Sequence, residues 1–175
     1  MTSKLKTDIL ETVSGSGTIA LTNQLSGMTS ASLPTGSLLQ TIQSGTIARF
    51  TTTTTGTWQN TNLTLSITPS ATSSKILVIV NQPVVVAGAT AQLRGAFRIL
   101  RGSTVIWNTY NFTEHFQVRD AQNEHSTVTT AIQLDSPSTT SAVTYTLQSY
   151  LLTGTTLIAW ESPMGANITL QEIKG

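Results

Sequence analysis

Apolar and polar residues alternate along most of the chain in runs of about five to nine residues, separated by clusters of turn-forming residues. The alternation is clearest in Leu63, Leu65 and Ile67 and in Tyr145 and Leu147. Because successive side chains of a strand point to opposite faces of its sheet, this period is typical of half-buried β-strands. Strands are therefore predicted at 38–43, 47–51, 63–68, 75–80, 84–87, 92–101, 105–110, 127–135, 143–151, 155–160 and 167–173.

The most apolar stretch of the chain, Lys75–Ala87, is rich in β-branched residues and predicts the centre of the core. Pro83 interrupts this stretch, directly after Asn81 and Gln82. Since proline has no backbone N–H to donate to a ladder, two strand segments that meet at a bend are predicted here.

Two local features are predicted from residue spacing. In the last strand Ile168 and Leu170 alternate, but the next apolar residue is Ile173, which predicts a bulge or a strand end near residue 171. The sequence RGST at 101–104 lies between two apolar runs and predicts a hairpin turn in which Gly102 takes a positive φ.

The number of strands is sufficient for two packed sheets, so residues 37–175 are predicted to form an all-β domain, an antiparallel two-sheet sandwich. Residues 1–36 differ, because single apolar residues or pairs stand between Ser, Thr and Gly. Such a segment buries too little apolar surface to fold alone, and it is predicted to be an extended N-terminal arm that becomes ordered on a partner. The residues expected to dock are Leu5, Ile9, Leu10, Val13, Ile19, Leu21, Leu25 and Met28.

The composition adds to the strand prediction and excludes several functions. The 175 residues include 34 Thr and 19 Ser, which favours strands and turns over helices. Nine Lys and Arg against eight Asp and Glu provide no field to attract nucleic acid or anionic lipid. The absence of cysteine excludes disulfides and thiolate catalysis. A chain with so little charge and no disulfide cross-links is expected to be a homo-oligomer. The sequence has no apolar run suited to a signal peptide or a membrane span.

The polar segment 114–125 holds both histidines of the chain, each directly after a glutamate. His115, Glu124 and His125 are ligand types that suit zinc or manganese, but their spacing matches no recognised motif. The alternative, a solvated loop that crosses between the two sheets, is favoured, so no metal and no cofactor are predicted.

Catalytic motifs are absent from the sequence. It contains no Gly-X-Ser-X-Gly elbow and no phosphate-binding glycine loop. A glycosidase pair among Glu114, Asp120, Glu124 and Glu161 stays open, because the separation that such a pair requires is spatial. We expect no enzyme activity.

Three aromatic residues, Trp107, Tyr110 and Phe112, lie within six residues of one another, beside Glu114 and His115. Aromatic rings next to polar groups can form a platform for a sugar ring. The other interpretation is that Trp107 and Phe112 fill the core and Tyr110 stands at a strand end. The candidates for ligand binding are Trp107, Tyr110, Glu114, His115, Glu124 and His125.

Two parts of the chain carry a resemblance to known proteins. The segment SKLKTDILETVSGSGTIALTNQLSGMTSASLPTGSLLQ at 3–40 is similar to the N-terminal segment of virion structural proteins of marine tailed phages, such as those that infect cyanobacteria. The sequences SITP at 66–69, SKILV at 74–78, FRILR at 97–101 with Val105 and Ile106, and ITLQEI at 168–173 are similar to the C-terminal, fibre-like β-domains of the same proteins.

The resemblance implies a non-enzymatic virion surface protein, made in the host cytoplasm. Its body would be a jelly roll like the tumour-necrosis-factor and complement C1q heads, which are usually homotrimers. Its arm would dock on other virion proteins of the capsid or tail. Because the chain has no extended shaft or coiled-coil heptad, it resembles a capsid decoration protein or a short tail fibre or spike more than a long fibre. The alternative is a carbohydrate-binding module that uses Trp107, Tyr110 and the 114–125 segment to bind a host surface glycan.

Overall fold

Two antiparallel β-sheets pack face to face in the described part of the chain, in a computed structural model that describes residues 32–89, 92–109, 116–118, 124–159 and 165–175. The strands formed by these residues are, in chain order, β1 (Leu38–Gln43), β2 (Phe50–Thr52), β3 (Trp58–Ile67), β4 (Lys75–Ala87), β5 (Leu93–Arg101), β6 (Thr104–Asn108), β7 (Phe116–Val118), β8 (Glu124–Asp135), β9 (Val143–Thr153), β10 (Thr156–Ala159) and β11 (Asn167–Ile173). The prediction of an all-β, two-sheet antiparallel sandwich is confirmed, and the arrangement is that of a jelly-roll-like fold.

The first sheet is built around β4. Along one edge β4 pairs with β8 over almost its whole length. Along the other edge it pairs with β11 up to Asn81 and with β10 from Val84 onward. The sheet is completed by β1, which pairs with β11, and by β2, which pairs with β10.

The bend predicted at Pro83 is wrong, because β4 is one continuous strand through this residue. Pro83 lies opposite Val128 of β8. On the other edge it falls between Asn81, the last position paired with β11, and Val84, the first paired with β10. The missing N–H thus coincides with a change of partner strand, and no ladder position is broken on that edge.

The second sheet has the order β3-β9-β5, with β6 and β7 along the far edge of β5. In β9 the predicted alternation is regular: Val143, Tyr145 and Leu147 point inward and are buried. The predicted hairpin between β5 and β6 is confirmed, and Gly102 has a φ of 56°.

The core lies between the two sheets and consists of their inward-facing side chains. Its largest fully buried members are Tyr145 and Phe97 of the second sheet. The first sheet contributes an aliphatic layer that includes Ile76, Val78, Val80, Val86, Ile168 and Leu170. These residues come from the strongly apolar stretch and from the last strand, as the sequence pattern predicts.

In β11 the inward positions are Ile168, Leu170 and Glu172, and none of the three is exposed. The predicted slip of the period in this strand is therefore wrong, since the alternation continues with a buried glutamate. The irregularity lies instead in the neighbouring strand β1, between Leu38 and Gln40. Ile173 faces outward and is half-buried.

Residues Pro34–Gly175 form one compact unit. Gly36 N donates a hydrogen bond to Lys174 O, and Lys174 N donates one to Ser37 O, each at 2.8 Å. The chain is thus fixed to the body from residue 36 onward. The predicted docking residues of the arm, Leu5 to Met28, lie outside the described residues.

Candidate functional site: the outer face of the first sheet

The side of the first sheet that faces away from the core carries three apolar cross-strand pairs. They are Leu77 with Leu134, Ile79 with Ile132, and Pro83 with Val128. We call these six side chains the apolar face. Their β8 members are well exposed, Val128 at 53%, Ile132 at 63% and Leu134 at 46%. The polar pair Asn81 and Thr130 lies between the third pair and the other two. Single exposed apolar residues are ordinary on protein surfaces, but several of them on one face make a candidate interaction site.

The strand β8 has its large apolar residues on the solvent side and none on the core side. Val128, Ile132 and Leu134 point outward, whereas Thr129 and Ala131 point inward and are buried. A half-exposed antiparallel strand ordinarily shows the reverse distribution. The pairing with β4 fixes this register, and a shift by one residue would turn every side chain to the other face. The outward side of β8 is therefore more apolar than its core side.

The apolar face is uncharged. Along the outward positions of β4, β8 and β11, charges occur only at Lys75 and Glu124, at the ends of the strands. The remaining outward positions hold aliphatic residues, proline, alanine, serine, threonine, asparagine and glutamine. Depletion of charged residues is the compositional signature of the buried centre of a protein interface.

The apolar face is not flat, since it has a hollow at one end and projecting side chains at the other. At one end of the apolar face, beside the charged Glu124, lies a hollow of about 420 Å³, whose other lining residues are Pro83, Val84, Val85, Ser126, Thr127 and Val128. At the other end, Ile132 and Leu134 project from the edge strand. Among the described strands β8 pairs only with β4, so its second edge is unpaired there. A face with a hollow beside projecting side chains can interlock with a partner surface.

A charged cluster inside the sandwich fixes the end of β8. Arg101 Nη1 lies 2.8 Å from Asp135 Oδ1 and 2.9 Å from Oδ2, and Tyr145 Oη donates to Asp135 Oδ2 at 2.8 Å. Burial, together with the hydrogen bond to Asp135 and its negative charge, raises the pKa of Tyr145. Because Arg101 and Tyr145 belong to the second sheet, the cluster links the end of β8 in the first sheet to the second sheet.

A second buried carboxylate fixes β1, the strand that follows the N-terminal segment. Glu172 Oε1 accepts hydrogen bonds from Ser70 N at 2.7 Å and from the hydroxyls of Ser70 and Ser74 at 2.6 Å each. Glu172 Oε2 accepts one from Gln40 Nε2 of β1 at 2.6 Å. Burial alone would raise the pKa of Glu172, but these hydrogen bonds outweigh it and the pKa is lowered. Glu172 was missed at the sequence level, although it is in phase with Ile168 and Leu170.

The ligand-binding candidates from the sequence are distributed over both sheets. Trp107 lies on β6 and packs, half-buried, against the core. Glu124 and His125 begin β8; as neighbours on a strand they point to opposite sides, Glu124 exposed and His125 half-buried. Tyr110, Glu114 and His115 lie outside the described residues, as do Phe112, Asp120 and Glu161. Within the described ranges, no three His, Asp or Glu side chains come close enough together to hold a metal ion.

No protein-family model matches this chain, and no curated protein matches it. The described residues contain no helix that is long and apolar enough to cross a membrane.

Proposed function

We propose that this protein is a non-enzymatic surface protein of a tailed-phage virion. Its jelly-roll body associates with copies of itself through the apolar face, as a homotrimer, and its N-terminal arm docks on neighbouring capsid or tail proteins. The virion location, the arm and the trimeric state come from the sequence resemblance. The association surface comes from the geometry of β8.

The observation that carries the proposal is the inverted distribution of side chains on β8. Ile132 is 63% exposed, whereas Ala131 beside it is buried. If the outward side of β8 faced only water, the larger apolar residue would be better placed inside. Burying an aliphatic side chain fully is worth about 1.5 to 3 kcal/mol relative to leaving it exposed. Val128, Ile132 and Leu134 are about half exposed, so a partner surface over this face would recover about half of that free energy for each of them.

A second copy of the chain is the occupant that fits best. The centre of the face is uncharged, so two copies meet without like-charge repulsion and with no need for a partner of opposite charge. In a closed trimer each contact is heterologous, so the apolar face of one copy would meet a second surface of the next copy, and every copy would use the same two surfaces. A trimer would also present three arms to the virion at once, which raises the overall affinity of docking.

Purified virions provide the test. The chain should be found in them by mass spectrometry, and deletion of residues 1–31 should abolish its incorporation while the body stays folded, because the bonds of Gly36 and Ser37 to Lys174 are kept. Virions that contain the truncated chain at full occupancy would contradict the role of the arm, and virions without the full-length chain would contradict the proposal.

The number of copies per particle separates the two virion roles. A decoration protein is expected in many copies, and its removal should weaken the capsid. A short tail fibre or spike is expected in few copies, and its removal should abolish infectivity while the capsid stays intact.

A further inference from the structure

The second sheet has an outer face of a different character, on the side of the sandwich opposite the apolar face. Two rows of side chains cross its central strands. In one row, Trp58 of β3 lies opposite Tyr150 of β9. In the next row Asn60 lies opposite Gln148, and Gln148 lies opposite Arg98 of β5. We call these five residues the aromatic ledge; its two rows are about 7 Å apart along the strands.

The aromatic row is held by ring contacts. The centroids of Trp58 and Tyr150 lie 5.1 Å apart with the rings tilted by 53°. The guanidinium carbon of Arg98 lies 4.4 Å from the centroid of the Trp58 ring, a cation–π contact. Both rings are half-buried, so each keeps part of its surface open to solvent. The guanidinium thus lies on one face of the Trp58 ring, and the ring surface that Trp58 and Tyr150 leave open is next to its positive charge.

The polar row is a directed chain of hydrogen bonds. Arg98 Nε donates to Gln148 Oε1 at 2.6 Å, and Gln148 Nε2 donates to Asn60 Oδ1 at 2.6 Å. Since the guanidinium can only donate, it fixes the orientation of the Gln148 amide, which in turn fixes that of Asn60. The exposed Asn60 side chain is left with its NH₂ group as the outward donor. Donors are thus oriented before any ligand arrives.

The charge on this ledge is not neutralised within the described part of the chain. There the side chain of Arg98 contacts the Trp58 ring and the Gln148 amide, and no carboxylate pairs with it. Its terminal nitrogens are suited to a planar anion, because the guanidinium fork matches a carboxylate in two parallel hydrogen bonds.

We propose that the aromatic ledge binds a saccharide that bears a carboxylate. The apolar face of the sugar ring stacks on the row of Trp58 and Tyr150, the carboxylate pairs with the terminal nitrogens of Arg98, and hydroxyls accept from Asn60. Apolar rings with a few convergent polar groups are the ordinary chemistry of such a site. The ledge lies on the side of the sandwich opposite the apolar face, so a contact made by the apolar face of one copy does not cover that copy's own ledge.

The test is a titration of the full-length chain with uronate and sialate oligosaccharides, each beside its methyl ester. The ester keeps the ring and removes the charge. We expect binding of at least one acid, with a dissociation constant about tenfold or more lower than that of its ester. Arg98→Gln should raise the dissociation constant of the acidic saccharide by about ten- to a hundredfold, and Asn60→Ala should raise it by several-fold. Ser66→Ala, on the same outer face of β3 but away from the ledge, should change nothing.

Thermal unfolding and molar mass of each variant establish that it folds and assembles like the parent. If Arg98→Gln does not fold, the proposal is tested by the Asn60→Ala variant, whose substitution lies on the surface, and by the comparison of each acid with its ester. Equal affinity for acid and ester, binding that neither Arg98→Gln nor Asn60→Ala weakens, or no binding to any member of the panel would overturn the proposal. None of these results bears on self-association, which is read from molar mass.

Discussion

Ile79 of β4 lies directly opposite Ile132 of β8, on the side of the first sheet that faces away from the core. Ile132 is 63% exposed and is the most exposed of the large apolar residues on this face. Directly opposed residues of adjacent antiparallel strands form the contact unit of a sheet, so the pair presents a continuous apolar surface. The association that we propose is centred on this pair.

Ile132→Glu is expected to dissociate the assembly while leaving the strand content unchanged. A carboxylate at this position would be desolvated at the centre of the interface, but in the separated subunit it points into water. Molar mass from light scattering and the far-ultraviolet circular dichroism spectrum check both parts. Val105→Glu is the matched control, because Val105 is also exposed, at 42%, but lies in the second sheet. Equal loss of assembly in both variants would argue against the apolar face.

Glu172→Gln is expected to destabilise the body by about 1 to 3 kcal/mol, measured by urea unfolding. The neutral amide weakens the bonds from Ser70, Ser74 and Gln40, and its NH₂ group must face a donor. A variant as stable as the parent would show that the buried carboxylate does not hold β1 and the loop between β3 and β4.

The same residue predicts an acid dependence of stability. Because the pKa of Glu172 is lower in the folded than in the unfolded chain, its contribution is present above the ordinary pKa of about 4.3 and is lost as the pH falls through the folded value. The stability difference between the parent and Glu172→Gln should therefore narrow in acid. A difference that stays constant with pH would contradict the lowered pKa.

Tyr145→Phe is expected to cost about 1.5 to 3 kcal/mol, because it removes a buried hydrogen bond to the Asp135 carboxylate. The raised pKa of Tyr145 also means that its contribution is present below its ordinary pKa of about 10 and is lost as the pH rises through the folded value. The folded parent should show no more phenolate absorbance than the folded Tyr145→Phe variant, and the two should differ only after unfolding. An additional phenol that titrates near pH 10 in the folded parent would contradict this.

The strand pattern was predicted well from sequence where alternation and burial agree. The first and last strands, Leu38–Gln43 and Asn167–Ile173, have the predicted bounds. Pro83 was misjudged because a sequence shows the missing donor but not which neighbouring strand ends beside it. Glu172 was missed because an apolar residue one position later offered a simpler explanation of the pattern.

The apolar face and the aromatic ledge depend on pairing between distant segments, which periodicity alone does not give. The outward orientation of Ile132 follows from the register of β8 on β4, and the meeting of Trp58 with Tyr150 and Arg98 follows from the order of three strands. The sequence directed attention to Trp107 instead, since it stands close in sequence to other aromatic and charged residues. Proximity in sequence is a weak guide in a sandwich whose sheets are assembled from non-consecutive strands.

The molar mass of the full-length chain in solution, measured by light scattering or sedimentation over a wide range of concentrations, tests the central claim most directly. The chain has a mass of 18.6 kDa, so the proposal predicts a particle of three times that mass that falls to a single chain in Ile132→Glu. A parent protein that stays at the mass of one chain throughout the range would contradict it.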